Sequence, residues 1–124
     1  MQNLIKIQGI VKKGQDRGKA LGFPTANIDI TQNIPEGIYI SQTIIKNKKY
    51  NSLTFIGSAK TFNETKYHAE TYIFDFHENI YDENIRVELL TKIRENQKFN
   101  SEEELIQQMK QDKRQAEEYF SHSF

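Results

Sequence analysis

Apolar and polar residues alternate along several short stretches of the first hundred positions. Near the start, Ile5, Ile7, Gly9 and Val11 alternate with more polar neighbours, which is the period-two pattern of a half-buried β-strand. Comparable stretches follow at residues 27–30, 37–45, 50–56, 67–76 and 85–93. Polar residues at 46–49, 78–79 and 82–84 have the composition of turns between strands. This pattern of six short strands predicts a small antiparallel barrel or sandwich.

The period changes to that of a helix after residue 100. Ser101 followed by Glu104 is typical of a capping box at a helix N-terminus. Apolar residues then recur on one helical face at Leu105, Met109, Ala116 and Phe120. We expect this C-terminal helix to pack against the barrel and to close one end of it.

Composition indicates a globular domain and excludes several classes of function. The 124 residues include 17 basic and 17 acidic side chains, so no overall charge attracts nucleic acid or anionic lipid. Cysteine is absent, which excludes disulfides and thiolate chemistry. Residues 1–10 are too polar for a signal peptide, and no apolar run is long enough to span a membrane. We therefore expect one cytoplasmic domain over residues 1–124, with neither a membrane nor nucleic acid as its partner.

Residues 18–28, with the sequence GKALGFPTANI, carry the most informative chemistry in the chain. Glycine permits close approach of a ligand to the backbone, and Pro24 favours an extended conformation at Phe23. Thr25 and Asn27 are two residues apart, so on a strand they project from the same face. A hydroxyl and an amide oxygen beside free backbone N–H groups suit a hard cation and its phosphates. The segment indicates a nucleotide site, although Thr is also common in strands and Asn in turns.

The glycine-containing segment from Gly14 to Gly22 does not match the common phosphate-binding loops. A Walker A loop requires four residues between its glycines and a Ser or Thr after its lysine. Here three residues separate Gly14 from Gly18, and alanine follows Lys19. The dinucleotide-binding fingerprint also fails, since no glycine pair at its spacing opens a helix. Taken by itself, the segment is either a phosphate-binding loop or a hairpin loop whose charges are solvated.

A carboxylate on an aromatic strand face is a candidate catalytic base. In the stretch 67–76, the residues that share a face with Glu70 are His68, Tyr72, Phe74 and Phe76. Burying a carboxylate there is costly and favours its protonated form. Such a group can accept a proton from a substrate hydroxyl. The alternative is that one end of this face looks outward and that Glu70 is solvated.

Two further kinds of site receive less support from the residues. His68, His77 and His122 lack the spacing of metal ligands and are expected at the surface. Aromatic residues on strands also suit a surface that stacks single-stranded nucleic acid. The balanced charge and the interspersed acidic residues argue against that function.

Taken in chain order, the segments resemble the riboflavin kinase family, whose members phosphorylate riboflavin to FMN with ATP. The match includes the PTAN tetrad at 24–27 within its glycine-flanked segment, the PEGIY segment at 35–39, and Glu70 with Thr71. Further matching positions are 9–11, 14, 18–19, 56–57, 61–62, 75–76, 80–81, 93–94, 99, 104–105 and 112. The resemblance covers nearly the whole chain and implies a six-stranded antiparallel Greek-key β-barrel with a C-terminal α-helix.

The resemblance also implies roles for individual residues. Glu70 would be the catalytic base that takes the proton from the riboflavin 5′-hydroxyl, and Thr25 and Asn27 would bind magnesium. Arg94 and Phe99 would lie on the flavin side. The nucleotide-binding residues would be Gly14, Gly18, Lys19, Gly22, Pro24, Thr25 and Asn27. Magnesium is the implied cofactor, and riboflavin and ATP are the implied substrates.

Three positions depart from the pattern common in bacterial relatives. Phe55 replaces an asparagine, Lys60 a proline and Asp82 a glycine. These differences leave open a second hypothesis, a non-catalytic flavin- or nucleotide-binding module of the same fold. Bacterial members are also commonly fused to an FMN adenylyltransferase domain, which this sequence lacks. We therefore expect either a stand-alone kinase or the kinase domain of a longer protein.

Overall fold

The computed structural model describes residues 4–12, 25–60 and 62–122. Within these ranges the strands are β1 (Ile5–Ile10), β2 (Thr25–Ile30), β3 (Gly37–Ile45), β4 (Lys48–Lys60), β5 (Thr65–Ile73) and β6 (Asn84–Arg94), and the helix is α1 (Glu102–Ser121). In the same part of the chain, no helix has the length and apolarity needed to cross a bilayer. The six predicted strands and the predicted C-terminal helix are confirmed.

The strands form one antiparallel sheet with the order β1-β6-β3-β4-β5-β2. Strands β3, β4 and β5 form a meander, and β2 lies beside β5 rather than beside β3, which is a Greek-key arrangement. The two edges of the sheet approach each other where the backbone N–H of Lys12 donates to the carbonyl oxygen of Asn27 over 2.6 Å. The predicted Greek-key barrel is confirmed, and it is nearly closed at this seam.

The strand bounds follow the predicted ones most closely around the β3–β4 hairpin. Strand β3 has the predicted bounds, Gly37–Ile45. The hairpin turns on Lys46 and Asn47, whose φ angles of 51° and 68° have the sign that a type I′ turn requires. The predicted turn at 46–49 is too long, because residues 48–49 already pair with the end of β3.

Alternation along the strands creates two apolar clusters on opposite faces of the sheet. The inner cluster fills the barrel and includes Ile7, Val11, Ile28, Ile56, Ile73, Ile85 and Val87. The outer cluster comprises Ile38, Ile40, Leu53, Tyr72 and Phe74, which pack with Met109 and Ala116 of α1. Helix α1 therefore covers the outer side of the sheet and does not close an end of the barrel, because the outer apolar patch needs a covering layer.

Five buried hydroxyl side chains form a network inside the barrel. Thr43, Ser52, Ser41, Thr54 and Thr71 follow one another through oxygen–oxygen contacts of 2.7 to 2.9 Å. Each residue is at most 1% exposed, so the hydroxyls satisfy one another where water is excluded. The network joins β3, β4 and β5 through side chains that a hydropathy pattern classes as polar.

Helix α1 begins with the predicted cap. The hydroxyl of Ser101 accepts a hydrogen bond from the backbone N–H of Glu104 at 3.1 Å. The Glu104 carboxylate in turn accepts from the backbone N–H of Asn100, which shifts the return bond of the capping box by one residue. The bond from Glu104 to Ser101 satisfies one of the N–H groups that the first helical turn leaves without a partner.

Strand β5 ends earlier than predicted, and this changes the position of one aromatic residue. Asp75 follows the strand with a φ of 56°, so the alternation of faces is interrupted there. Phe74 belongs to the outer cluster, whereas the ring of Phe76 lies inside the barrel, 5.0 Å from the ring of Tyr50. The prediction that Phe76 shares the face of Glu70 is wrong.

The variant Gly37→Ala should destabilise the barrel. Gly37 has a φ of 148°, and a Cβ at this position would lie 2.7 Å from the carbonyl oxygen of Arg94. An alanine must adopt an unfavourable φ and also displace β6, so we expect the free energy of unfolding to fall by about 2 kcal/mol. Urea denaturation compared with the parent protein measures this change. An unchanged midpoint would contradict the close-packing argument.

Candidate active site

Five of the predicted nucleotide-binding residues lie outside the described residues. They are Gly14, Gly18, Lys19, Gly22 and Pro24. Their roles stay predictions. The described chain resumes at β2, which carries the other two members of the predicted set.

Strand β2 holds the predicted metal-binding pair next to the predicted base. Thr25 and Asn27 alternate along β2, which pairs antiparallel with β5. In this register Asn27 lies directly opposite Glu70, and Thr25 lies opposite Tyr72. Cβ atoms of directly opposed residues are ~4.5–5.5 Å apart in an antiparallel pair. The fold therefore brings a hydroxyl, an amide and a carboxylate to one patch of the outer face.

Glu70 is enclosed within this patch, with only 2% of the residue exposed. Its neighbours on adjacent strands are Asn27 and Phe55, and along β5 it is flanked on the same face by His68 and Tyr72. The alternative that Glu70 is solvated is therefore wrong. A carboxylate shielded from bulk water in this way can accept a proton from a hydroxyl group brought next to it.

Asn27 carries a buried donor without an acceptor among the described residues. Its Nδ2 atom is buried and unpaired, although leaving a buried donor unsatisfied costs about 1–3 kcal/mol. A ligand oxygen at this position would pair it. The side-chain oxygens of Thr25 and Asn27 are hard neutral ligands of the type that Mg²⁺ accepts together with phosphate oxygens. Within the described ranges, no group of three or more His, Cys, Asp or Glu side chains could hold a metal ion.

Strand pairing aligns the candidate residues in a single row across the outer face. From one end to the other, the row is Lys12, Asn27, Glu70, Phe55, Ile38 and Arg94. From Asn27 to Arg94, neighbouring members lie on neighbouring strands, which are ~4.8 Å apart, and Lys12 joins the row through an isolated bridge to Asn27. Glu70 thus stands between a polar end at Asn27 and an aromatic and cationic end at Phe55 and Arg94.

An apolar cleft lies between this end of the row and α1. Arg94 and Phe99, the residues predicted on the flavin side, both line it. Two direct neighbours of Glu70, Phe55 and Tyr72, line it as well. Its other apolar walls are Ile38, Leu53, Leu105 and Met109. The cleft has a volume of about 30 Å³, which accommodates one or two water molecules.

A buried ion pair connects Arg94 to α1. The Nε and Nη2 atoms of Arg94 donate to the two carboxylate oxygens of Asp112 over 2.9 and 2.7 Å. The Asp112 side chain is 4% exposed and that of Arg94 is 15% exposed. Asp112 was not predicted as a site residue, although its position between Met109 and Ala116 on the buried helical face is a recognisable signal. A carboxylate at such a position requires a partner.

Two aromatic rings lie beside Glu70: that of His68, which was predicted on the same face, and that of Phe55, which was noted only as a departure from the family pattern. The ring centroids of Phe55 and His68 are 5.9 Å apart. Both rings pass close to Gly57, where a Cβ would lie 2.7 Å from Phe55 and 2.9 Å from His68. The missing side chain of Gly57 therefore leaves room for them. His68 is half-buried, in contrast to its predicted surface position, whereas the other two histidines are exposed.

Comparison with known proteins identifies similar chains over most of this length. A trifunctional RibF/MnmA protein of Mycoplasmoides gallisepticum is 41% identical over 117 residues, which are 92% of this chain and 18% of that protein. A bifunctional riboflavin kinase/FMN adenylyltransferase of Bacillus subtilis is 36% identical over 121 residues, covering 93% of this chain and 38% of that protein. The chain therefore spans less than half the length of either relative.

A solved structure and a family model also match most of this chain. A crystal structure of a Streptococcus pneumoniae protein described as a macrolide-efflux protein has a TM-score of 0.80 and 33% identity, covering 90% of this chain and 38% of that one. The family model for Flavokinase, riboflavin kinase, matches residues 1–120. The resemblance found in the sequence is confirmed, and the chain belongs to the riboflavin kinase family.

Proposed function

We propose that this chain transfers the γ-phosphate of ATP to the 5′-hydroxyl of riboflavin, producing FMN and ADP. The observation that carries the proposal is the direct opposition of Asn27 and the buried Glu70 on adjacent strands. Membership of the riboflavin kinase family supports the same activity. Phosphoryl transfer depends mainly on positioning the two substrates and stabilising the developing charge, and this pair supplies a group for each substrate.

Glu70 acts as the base in this proposal. Its carboxylate accepts the proton of the riboflavin 5′-hydroxyl while that oxygen forms its bond to the γ-phosphorus of ATP. The bond between the γ-phosphorus and the β,γ-bridging oxygen breaks, and ADP leaves with its electron pair. Because Glu70 is only 2% exposed, bulk water has little access to compete with the riboflavin hydroxyl.

Thr25 and Asn27 form the nucleotide side. Their side-chain oxygens would hold Mg²⁺, which when bound with ATP offsets the charge of the β- and γ-phosphates. The unpaired Nδ2 of Asn27 would donate to a phosphate oxygen. Gly14, Gly18, Lys19, Gly22 and Pro24 are proposed to complete the nucleotide-binding segment that precedes β2.

The apolar cleft is the proposed flavin side. Its walls of Phe55, Tyr72, Leu105 and Met109 suit a flat heteroaromatic ring, and Phe99 adds a second aromatic surface. The volume of about 30 Å³ is too small for a three-ring system, so entry requires residues 95–101 to move outward from the sheet. This segment has no regular secondary structure. A ring bound here directs its ribityl chain toward Glu70.

The relatives suggest a second enzyme activity that accompanies this domain. The Bacillus subtilis relative combines riboflavin kinase with FMN adenylyltransferase, and we propose that this domain works with such an activity, fused to it or separate. A cytoplasmic location stays a prediction.

A coupled assay of ADP release, with and without riboflavin, tests the proposed activity. We expect riboflavin-dependent ADP release, an equal amount of FMN, and loss of both when a chelator removes divalent metal. Riboflavin binding without ADP release would contradict the kinase activity and would favour a non-catalytic flavin-binding module. Activity that persists after complete chelation would contradict the Mg²⁺ assignment.

A further inference from the structure

We propose that Asp112 is a positioning residue for recognition of the flavin ring. It fixes the guanidinium of Arg94 so that the remaining N–H donors meet carbonyl oxygens of a ring bound in the apolar cleft. This inference rests on the proposed function and deepens it, because it gives a role to a helix residue that lines the cleft and acts on the flavin ring through Arg94.

The hydrogen bonds of Arg94 leave part of its guanidinium available. Nε and Nη2 donate to Asp112, and Nη1 donates to the carbonyl oxygen of Glu95 at 3.1 Å. These bonds use three of the five N–H groups of an arginine. The other two have no acceptor among the described residues, and the Arg94 side chain lines the cleft.

Asp112 holds the guanidinium in one orientation. Contact through both carboxylate oxygens fixes the guanidinium plane as well as its position. Gln108 supports the arrangement, because its Nε2 donates to Oδ1 of Asp112 at 3.1 Å. An arginine that is already ordered loses less side-chain freedom when a ligand binds. The carboxylate also offsets the charge of Arg94, which favours a neutral ring with carbonyl oxygens over an anion.

Helix anchoring alone does not account for a carboxylate at this position. Met109 and Ala116, on either side of Asp112, are 3% and 0% exposed and already pack in the outer cluster. Replacing a buried ion pair by well-packed apolar residues is often neutral or stabilising. A helix that needed only to adhere to the sheet would be held at least as well by an apolar residue. The ion pair therefore points to control of the Arg94 guanidinium.

Asp112→Asn tests the inference, because asparagine keeps the shape but loses the charge and one acceptor oxygen. Riboflavin affinity is measured by the change in flavin fluorescence with ADP and Mg²⁺ present, and the two KM values by ADP release. We expect the riboflavin Kd and KM to rise about tenfold or more, with the KM for ATP unchanged. The matched control is Glu118→Gln, an exposed acid-to-amide change on the same helix. This control variant should keep the parental Kd and KM for riboflavin.

A double-mutant cycle separates positioning from support of the fold. If Asp112 acts through Arg94, Asp112→Asn should not weaken riboflavin binding further in the Arg94→Met background. The pair Arg94→Met with Asp112→Leu should unfold at or above the parent temperature and still bind riboflavin weakly.

Three outcomes would overturn the inference. Asp112→Asn with parental riboflavin affinity would do so, as would an equal loss of affinity from this change in both backgrounds. Either result can occur while the parent forms FMN, so the proposed function would stand. A parent protein that neither binds riboflavin nor forms FMN would overturn the proposed function and this inference together.

Discussion

Glu70→Gln should lower kcat for FMN formation by about 10²–10⁴-fold, the usual contribution of a positioned general base. Glutamine has nearly the same size and still offers an oxygen to the substrate hydroxyl, but its amide does not take up the proton. The KM for riboflavin should therefore change little. With Glu70 only 2% exposed, bulk solvent is poorly placed to substitute for the lost base. Single-turnover formation of FMN measures the chemical step without interference from product release.

The control for this variant is a second acid-to-amide change in the same barrel. Glu88 lies on β6 and pairs with Lys49 at 3.6 Å, on a part of the sheet that does not line the cleft. Glu88→Gln should change kcat by no more than about twofold. Thermal unfolding of both variants shows whether each remains folded at the assay temperature. A folded Glu70→Gln protein with parental kcat would remove Glu70 from the role of base.

The fold could be predicted from sequence where local patterns determine it. Alternation located all six strands, and the bounds of β3 were predicted correctly because a turn follows it directly. The end of β5 was not, since the left-handed φ of Asp75 interrupts an apolar pattern that continues to Phe76. Strand alternation reports which residues share a face only while the backbone stays extended.

The buried polar groups could not be predicted in the same way. The hydroxyl network from Thr43 to Thr71 is stable inside the barrel because partners from three strands satisfy one another. Asp112 is buried because Arg94, eighteen positions earlier, supplies a matching cation. Both cases depend on partners that the fold brings together from distant parts of the chain, and periodicity carries no information about such partners.

For the candidate site as well, the sequence predicted individual residues but not how the fold arranges them. Sequence chemistry selected Thr25, Asn27 and Glu70 one by one and left Glu70 equally compatible with a solvated position. The β2–β5 register resolves this, because it places Asn27 opposite Glu70 on a face where Glu70 is buried. Arg94 and Phe99 came only from the family resemblance, and the cleft that they share forms only when α1 packs on the sheet.

Asn27→Ala should reduce kcat/KM for ATP by about 10- to 100-fold, the loss expected for hydrogen bonds to a charged partner. The alanine removes the proposed Mg²⁺ ligand together with the Nδ2 donor proposed to contact phosphate. The free energy of unfolding should change much less than the activity, because that donor has no acceptor among the described residues. The bond from the N–H of Lys12 uses the backbone carbonyl of Asn27 and is kept. We therefore expect a large loss of activity without a loss of thermal stability.

A large loss of activity together with unchanged thermal stability distinguishes an asparagine that binds a ligand from one that supports the fold. Steady-state kinetics at varied ATP and Mg²⁺ concentrations should show that higher Mg²⁺ partly restores the variant if its metal affinity has fallen. Asn51→Ala is the matched control, since Asn51 is an exposed β4 residue whose side-chain oxygen accepts a hydrogen bond from Gln42. The kcat/KM of this control variant for ATP should stay within about twofold of the parent value. An Asn27→Ala protein with parental Mg²⁺ dependence would contradict the ligand assignment. A lower unfolding temperature with parental kinetics would show instead that the unpaired amide serves the fold, because a group that binds only the nucleotide contributes nothing to stability when ATP is absent.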